Sequence, residues 1–201
     1  MLTKKALLTI NVNTFIRYYS IDPSKLVGEV SRRMQQPGGY DYYRLLSDAI
    51  KAKIENASDD EIQLILSGSS NPSEVSYNRS AYEVFVSKFG KKKNISIFEK
   101  KGQVKLLDGE LVIVASPAFS HQTANEFSVY NIWAAQNPPL DRARAAVGVY
   151  LLQQAFKKSV PNYQYKVFDA VTGKTYGAVN NATAQAVGQV AKTIIDIAKS
   201  C

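Results

Sequence analysis

Cysteine and histidine are almost missing from this chain: Cys201 and His121 are the only ones in 201 residues. A single cysteine cannot close a disulfide within its own chain. Structural zinc sites are built from several Cys and His side chains, so one chain has no ligand set for one. Any mechanism that uses histidine as a general base must use His121. Long apolar runs are missing as well, and none approaches the ~18 residues that read as a membrane span. The opening "MLTKKALLTINVNTFIRYYS" puts lysines before an apolar run. Asn11 and Asn13 interrupt that run and no small-x-small cleavage pattern follows, so a secretory leader is not expected. The expectation is a reducing, cytoplasmic setting with no membrane partner, in which "NRS", "NIS" and "NAT" are chance matches to the glycosylation pattern.

Two further absences bear on function. "GKKKN", "TGKTYG" and "PGGY" lack the glycine spacing of a phosphate-cradling loop. No pair of acids at helix or strand spacing marks a magnesium site, and the clustered acids of "SDDE" read as a helix cap. No metal and no cofactor are therefore expected.

What the chain has in excess is positive charge, +8 at pH 7 with a pI near 9.4. Residues 1–107 hold 17 of the 25 Lys+Arg and only 11 of the 17 Asp+Glu. A basic balance favours anionic partners and argues nothing about fold. With 45% hydrophobic and 21% charged residues, the composition is that of a globular protein with a sizeable core.

The first ninety residues read as helices. Leu7, Leu8, Val12, Phe15, Ile16 and Tyr19 recur at helical spacing and predict one helix over 3–20. Asp22 as cap with Pro23 in the first turn opens the next, which "PGG" stops. Tyr42, Leu45, Leu46, Ala49, Ile50 and Ile54 form the stripe of a third. "SDDE" is a capping box for a short fourth, and Asn71–Pro72 opens a fifth that runs to Phe89 and stops at Gly90. The pattern then becomes alternating. "NISIF" and "QVKLL" predict strands with a hairpin tip at Lys100–Lys101 between them. Asp108–Gly109 is a second hairpin signal, "ELVIVASP" a central strand and "NEFSVYNIW" another. Together they predict an antiparallel meander over 94–133. "NPPLDRARAAVGVYLLQQAFKKS" is a helix burying Leu140, Ala143, Val147, Tyr150, Leu151, Ala155 and Phe156. "YQYKVFDAVTGKTYG" is a hairpin turning at Thr172–Gly173. "NATAQAVGQVAKTIIDIAKS" is a last helix capped by Asn180 or Asn181. The fold class that follows is α+β, a single domain over 1–201. It has a helical part over 1–90, an antiparallel meander of four to six strands, and two later helices packed on the sheet.

No sequence feature names a reaction. Ser116, Ser120, His121 and Glu126 lie close together in sequence, and a Ser–His–acid reading can be built from them. Such groups are usually gathered from separated segments, and no nucleophile elbow is present. The plainer reading of His121 is a polar loop residue joining two strands. Asp108 with Glu110, and Asp169, fail the acid-x-lysine spacing of a metal-dependent nuclease. The densest charge lies in "FGKKKNISIFEKKGQVK", where six of seventeen residues are lysine. Lys91, Lys92 and Lys93 follow a helix end, where cations interact favourably with the dipole. Lys100 and Lys101 fall at the expected hairpin tip, where solvated charge is ordinary. If the helix end and the tip adjoin, these five lysines form one phosphate-binding patch, which Arg79, Lys88 and Lys105 could extend. Some of the twelve tyrosines, densest beside Arg17 and Arg44, could stack on bases. The expectation is a non-enzymatic binding or assembly protein that contacts nucleic-acid phosphates with weak sequence preference. The alternatives are a metal- or histidine-assisted hydrolase or nuclease, and a purely structural homo-oligomer subunit joined through its Ala-rich last helix.

Overall fold

A computed structural model describes residues 6–36, 38 and 41–201. Pro37, Gly39 and Tyr40, read above as part of a helix stop and of a tyrosine group, lie outside the described residues. So do Thr3, Lys4 and Lys5 at the start of the expected first helix.

That first helix is instead a strand followed by a helix. Strand β1 (Leu8–Asn11) alternates buried Leu8 and Ile10 with exposed Thr9 and Asn11. It pairs in parallel with β4 (Leu111–Ala115), Ile10 facing Ile113. Helix α1 (Val12–Ser20) begins where Asn11 caps it by accepting from Thr14 N at 2.7 Å. Period-2 and period-3.6 patterns overlap across Leu8–Val12, and the distant partner strand decides between them.

The next helices follow their local punctuation. Asp22 caps α2 (Pro23–Gln35) with Pro23 in its first turn. Ser58 and Glu61 form the reciprocal capping box of α4 (Asp59–Leu66). Asn71 caps α5 (Pro72–Phe89), which ends at Gly90. Helix α3 (Arg44–Ile54) has no side-chain cap of its own. Its Leu46 amide is met by the buried Asn78 of α5 at 2.9 Å, and the Asn78 amide group donates to the Tyr42 and Glu74 carbonyls, each at 2.8 Å.

The class is α+β, as expected, but the sheet is not one meander. The described strands form two mixed sheets, one of three ordered β1-β4-β3 and one of five ordered β2-β5-β6-β7-β8. Strand β2 (Ile95–Ile97) pairs with β5 (Phe119–Gln122), whereas β3 (Gly102–Leu106) pairs with β4. Lys100 and Lys101 therefore lie in a crossing between sheets rather than at a hairpin tip. The Asp108–Gly109 turn does join β3 to β4, and Leu107, Asp108 and Gly109 all take positive φ there. After β4, Pro117 has no amide to give to a ladder, and the chain passes into the second sheet as β5. β5 forms a hairpin with β6 (Phe127–Trp133). Helix α6 (Arg142–Phe156) then carries the chain to β7 (Gln164–Asp169), parallel to β6. Strand β8 (Thr175–Tyr176) returns beside β7 through the expected turn, with Gly173 at φ 72°.

Helix α6 packs on β3 and β4 of one sheet and on β7 and β8 of the other, and also against α1 and α7 (Thr183–Ser200). Its expected stripe is therefore widened: Ala145 to Val149 are buried in succession, while Ala143 is exposed. Gly148 permits the close approach, because a Cβ there would lie 2.8 Å from Ile16 and 2.9 Å from Val167. Helix α7 packs chiefly on α2, α6 and α1 rather than on a sheet. The cap position of α7 is Ala182, without a side-chain cap, rather than Asn180 or Asn181; Asn180 accepts from the Ala182 amide at 3.0 Å just ahead of the helix.

Two cores result. One gathers Phe15, Ile113, Leu151, Val167 and Ile194 among α1, α6, α7 and both sheets. The other joins α3, α4 and α5 to the opposite face of the five-stranded sheet through Phe85, Phe89, Phe119, Tyr130 and Phe168. The Phe119 and Tyr130 rings stack in it at 4.7 Å.

Candidate functional site

The five expected lysines are exposed, and the β2–β5 ladder divides them. Asn94 accepts from the Gln122 amide and Phe98 donates to the Ala118 carbonyl. Ile95 to Ile97 is extended along β5, about 10 Å at ~3.3 Å per residue, and Asn94 turns into it at φ 58°. Lys91, Lys92 and Lys93 sit at the Gln122 end of this edge strand, just past the C-terminus of α5. Lys100 and Lys101 sit beyond its other end. The two groups flank opposite ends of β2.

The second group has different neighbours. The Phe98 ring meets Phe156 at 5.5 Å. At the far side of the crossing, a Cβ on Gly102 would lie 2.8 Å from the Ala155 carbonyl oxygen and 3.0 Å from the Phe156 ring. Residues 98 and 102 therefore both rest on the last turn of α6, and Glu99, Lys100 and Lys101 arch over it. The next residues of the chain after that turn are Lys157 and Lys158, both exposed. Lys157 and Lys158 thus follow the negative end of the α6 dipole, where cations are stabilised, and Lys100 and Lys101 lie in the segment whose two ends rest on that turn. The sequence reading missed Lys157 and Lys158. The available signal was that "FKKS" ends α6 as "FGKKK" ends α5: an apolar anchor, then lysines.

His121 is not in a loop. It lies in β5, facing Ile95 on one side and Ser128 on the other. Ser128 Oγ and Lys166 Nζ both donate to Glu126 Oε1. The hydrogen bond from Lys166, then that from Ser128, hold the Glu126 carboxyl below its usual range, and the charge of His121 adds to this. Lys166 also lies 5.9 Å from the centre of the Tyr130 ring. The structure therefore does gather His121 with Glu126, but the carboxylate is already engaged by two donors. Ser128 is only 2% exposed, which leaves its hydroxyl poorly placed to meet a substrate. Ser120 is buried too and bonds Ser96 at 3.0 Å. Among the described residues no three His, Cys, Asp or Glu side chains gather as metal ligands would, and no helix is long and apolar enough to cross a membrane. Asp169, one of the acids considered for a nuclease, spends its carboxylate on the β7–β8 turn, accepting from Val171 N and Thr172 Oγ1.

No protein-family model matches the chain, and no curated protein matches it. Among solved structures it is similar to the crystal structure of SSO0001, with 11% identity over 87% of this chain and 85% of that chain and a TM-score of 0.36. A likeness of that degree carries no argument about function.

Proposed function

We propose that this is a non-enzymatic cytoplasmic protein that binds nucleic-acid backbones without strong sequence preference. The observation that supports the reading is that the arch of Glu99–Lys101, which carries Lys100 and Lys101, has both its ends on the last turn of α6, the turn that Lys157 and Lys158 follow in sequence. Lys91, Lys92 and Lys93 supply a second contact at the other end of β2. All seven side chains are exposed, so their ammonium groups can meet phosphates without leaving water first. Contacts of this kind position a backbone and carry little base information.

The two alternatives have less support. A hydrolase would need Glu126 or His121 as a proton carrier, and Glu126 Oε1 is already held by Lys166 and Ser128. A homo-oligomer joined through the last helix would need a free apolar stripe. Val187, Ala191, Ile194, Ile195 and Ala198 instead pack in the chain's own core.

The test is fluorescence anisotropy with single- and double-stranded oligonucleotides over a salt series. If all seven lysines meet duplex phosphates, log K falls against log salt with a slope of about −6. Changing Lys157 and Lys158 to alanine should reduce the slope by about 2. Absence of binding to any DNA or RNA at low salt ends the reading.

A further inference from the structure

A second cationic feature lies away from these lysines, in a recess between α1 and α2 of about 360 Å³. Thr14, Arg17 and Tyr18 face it from α1, and Glu29, Arg32 and Arg33 from α2. Both sets follow helical i, i+3, i+4 spacing, so each helix turns one polar face to the recess. The charges do not balance. Three guanidinium groups share one carboxylate. Arg17 Nη2 lies 2.6 Å from Glu29 Oε1, and Arg32 Nη1 lies 3.7 Å from that same oxygen. Arg33 donates to the Gly38 carbonyl at 2.9 Å and has no carboxylate partner among the described residues. Burial, then the Glu29 carboxylate, hold the Tyr18 hydroxyl above its usual range, and Arg33, Arg17 and Arg32 oppose that effect.

From this we infer that the α1–α2 recess is a binding site for a small molecule bearing a terminal phosphate group. Two uncompensated positive charges call for a dianion. A phosphate monoester carries about −1.5 to −2 at pH 7, whereas a phosphodiester carries only one charge. Guanidinium forks match phosphate oxygens in pairs. The volume falls in the range of small-molecule sites, ~300–1,000 Å³, and leaves room for an organic body behind the phosphate. The Glu29 carboxylate occupies Arg17 and Arg32 until the ligand's own oxygens compete for them.

Isothermal titration calorimetry on the full chain tests this with inorganic phosphate, phenyl phosphate and dimethyl phosphate at constant ionic strength. Binding of the first two, and none of the diester, is expected. Arg33→Gln should weaken phenyl phosphate binding by roughly tenfold or more, the scale of one charge-assisted hydrogen bond. Glu29→Gln should tighten it, a gain that misfolding cannot mimic. The combined variant K100A/K101A/K157A/K158A should bind phenyl phosphate like the parent, even if it loses nucleic acid. No heat with phosphate or phenyl phosphate up to ~10 mM would overturn the site, since that is weaker than about −3 kcal/mol. Equal binding of the diester, or unchanged affinity in Arg33→Gln, would overturn it as well.

Discussion

The rings of Phe98 and Phe156 meet edge to face, with centroids 5.5 Å apart and planes at 86°. This contact joins the crossing between the two sheets, which carries Lys100 and Lys101, to the end of α6. Phe98 is half-buried, so Phe98→Ala should cost less than the ~3–5 kcal/mol of a fully buried phenylalanine, about 2 kcal/mol. Urea unfolding measures that loss. Oligonucleotide affinity should fall with it although no lysine has changed, and Phe98→Leu should recover most of both. Unaltered stability in Phe98→Ala would mean that the arch does not rest on this contact.

A second prediction concerns Asn78, which supplies the cap that α3 lacks. Asn78→Ala leaves the Leu46 amide without its acceptor and removes the side-chain donor to the Tyr42 and Glu74 carbonyls, in a site where Asn78 itself is fully buried. The expected loss is about 2–3 kcal/mol, read by urea unfolding. A loss under ~0.5 kcal/mol would indicate that water replaces the side chain.

Two glycines should respond in opposite senses. Gly148→Ala drives a Cβ to within 2.8 Å of Ile16 and 2.9 Å of Val167, and overpacking of this kind costs ~1–3 kcal/mol. Gly188 lies in α7 with nothing within 4 Å of an added Cβ, so Gly188→Ala should stabilise by up to about 1 kcal/mol through helix propensity alone. Thermal melts of the pair, compared with the parent, check both signs.

The pH response of the α2 cap follows from Asp22. The hydrogen bond from Ser24, then that from the Lys25 amide, lower its carboxyl from 3.8 to about 2. A group whose folded pKa is depressed stabilises the fold above its unfolded value and loses that contribution as pH falls through the folded value. The window here is therefore from 3.8 down to about 2. Asp22→Asn keeps an acceptor for the Lys25 amide and removes the titration. Its melting temperature should fall less steeply than the parent's across that window, and parallel curves would contradict the assignment.

What the sequence made legible was local. Asp22–Pro23, Ser58 with Glu61, Asn71–Pro72 and Asp108–Gly109 each act within a few residues, and each does in the structure what its chemistry requires. What escaped depends on distant partners. Leu8–Asn11 is a strand because Leu111–Val114 lies beside it. β2 and β3 look like a hairpin but choose partners in different sheets. Phe98 and Gly102 are separated from Phe156 in sequence by two strands of each sheet and the length of α6, so only the packing of residues 98 and 102 on α6 reveals that contact. The arginine recess was the most readable omission: Arg17 and the Glu29, Arg32, Arg33 face were available from helical spacing, but judging them needed both helices at once.

Helix α6 touches strands of both sheets, and this has a consequence for how the molecule comes apart. Loosening either sheet strips apolar cover from the helix, and loosening the helix strips cover from both. Amide hydrogens of β4 in one sheet and β6 in the other should therefore exchange through a common opening, with the same free energy, rather than as two separate units.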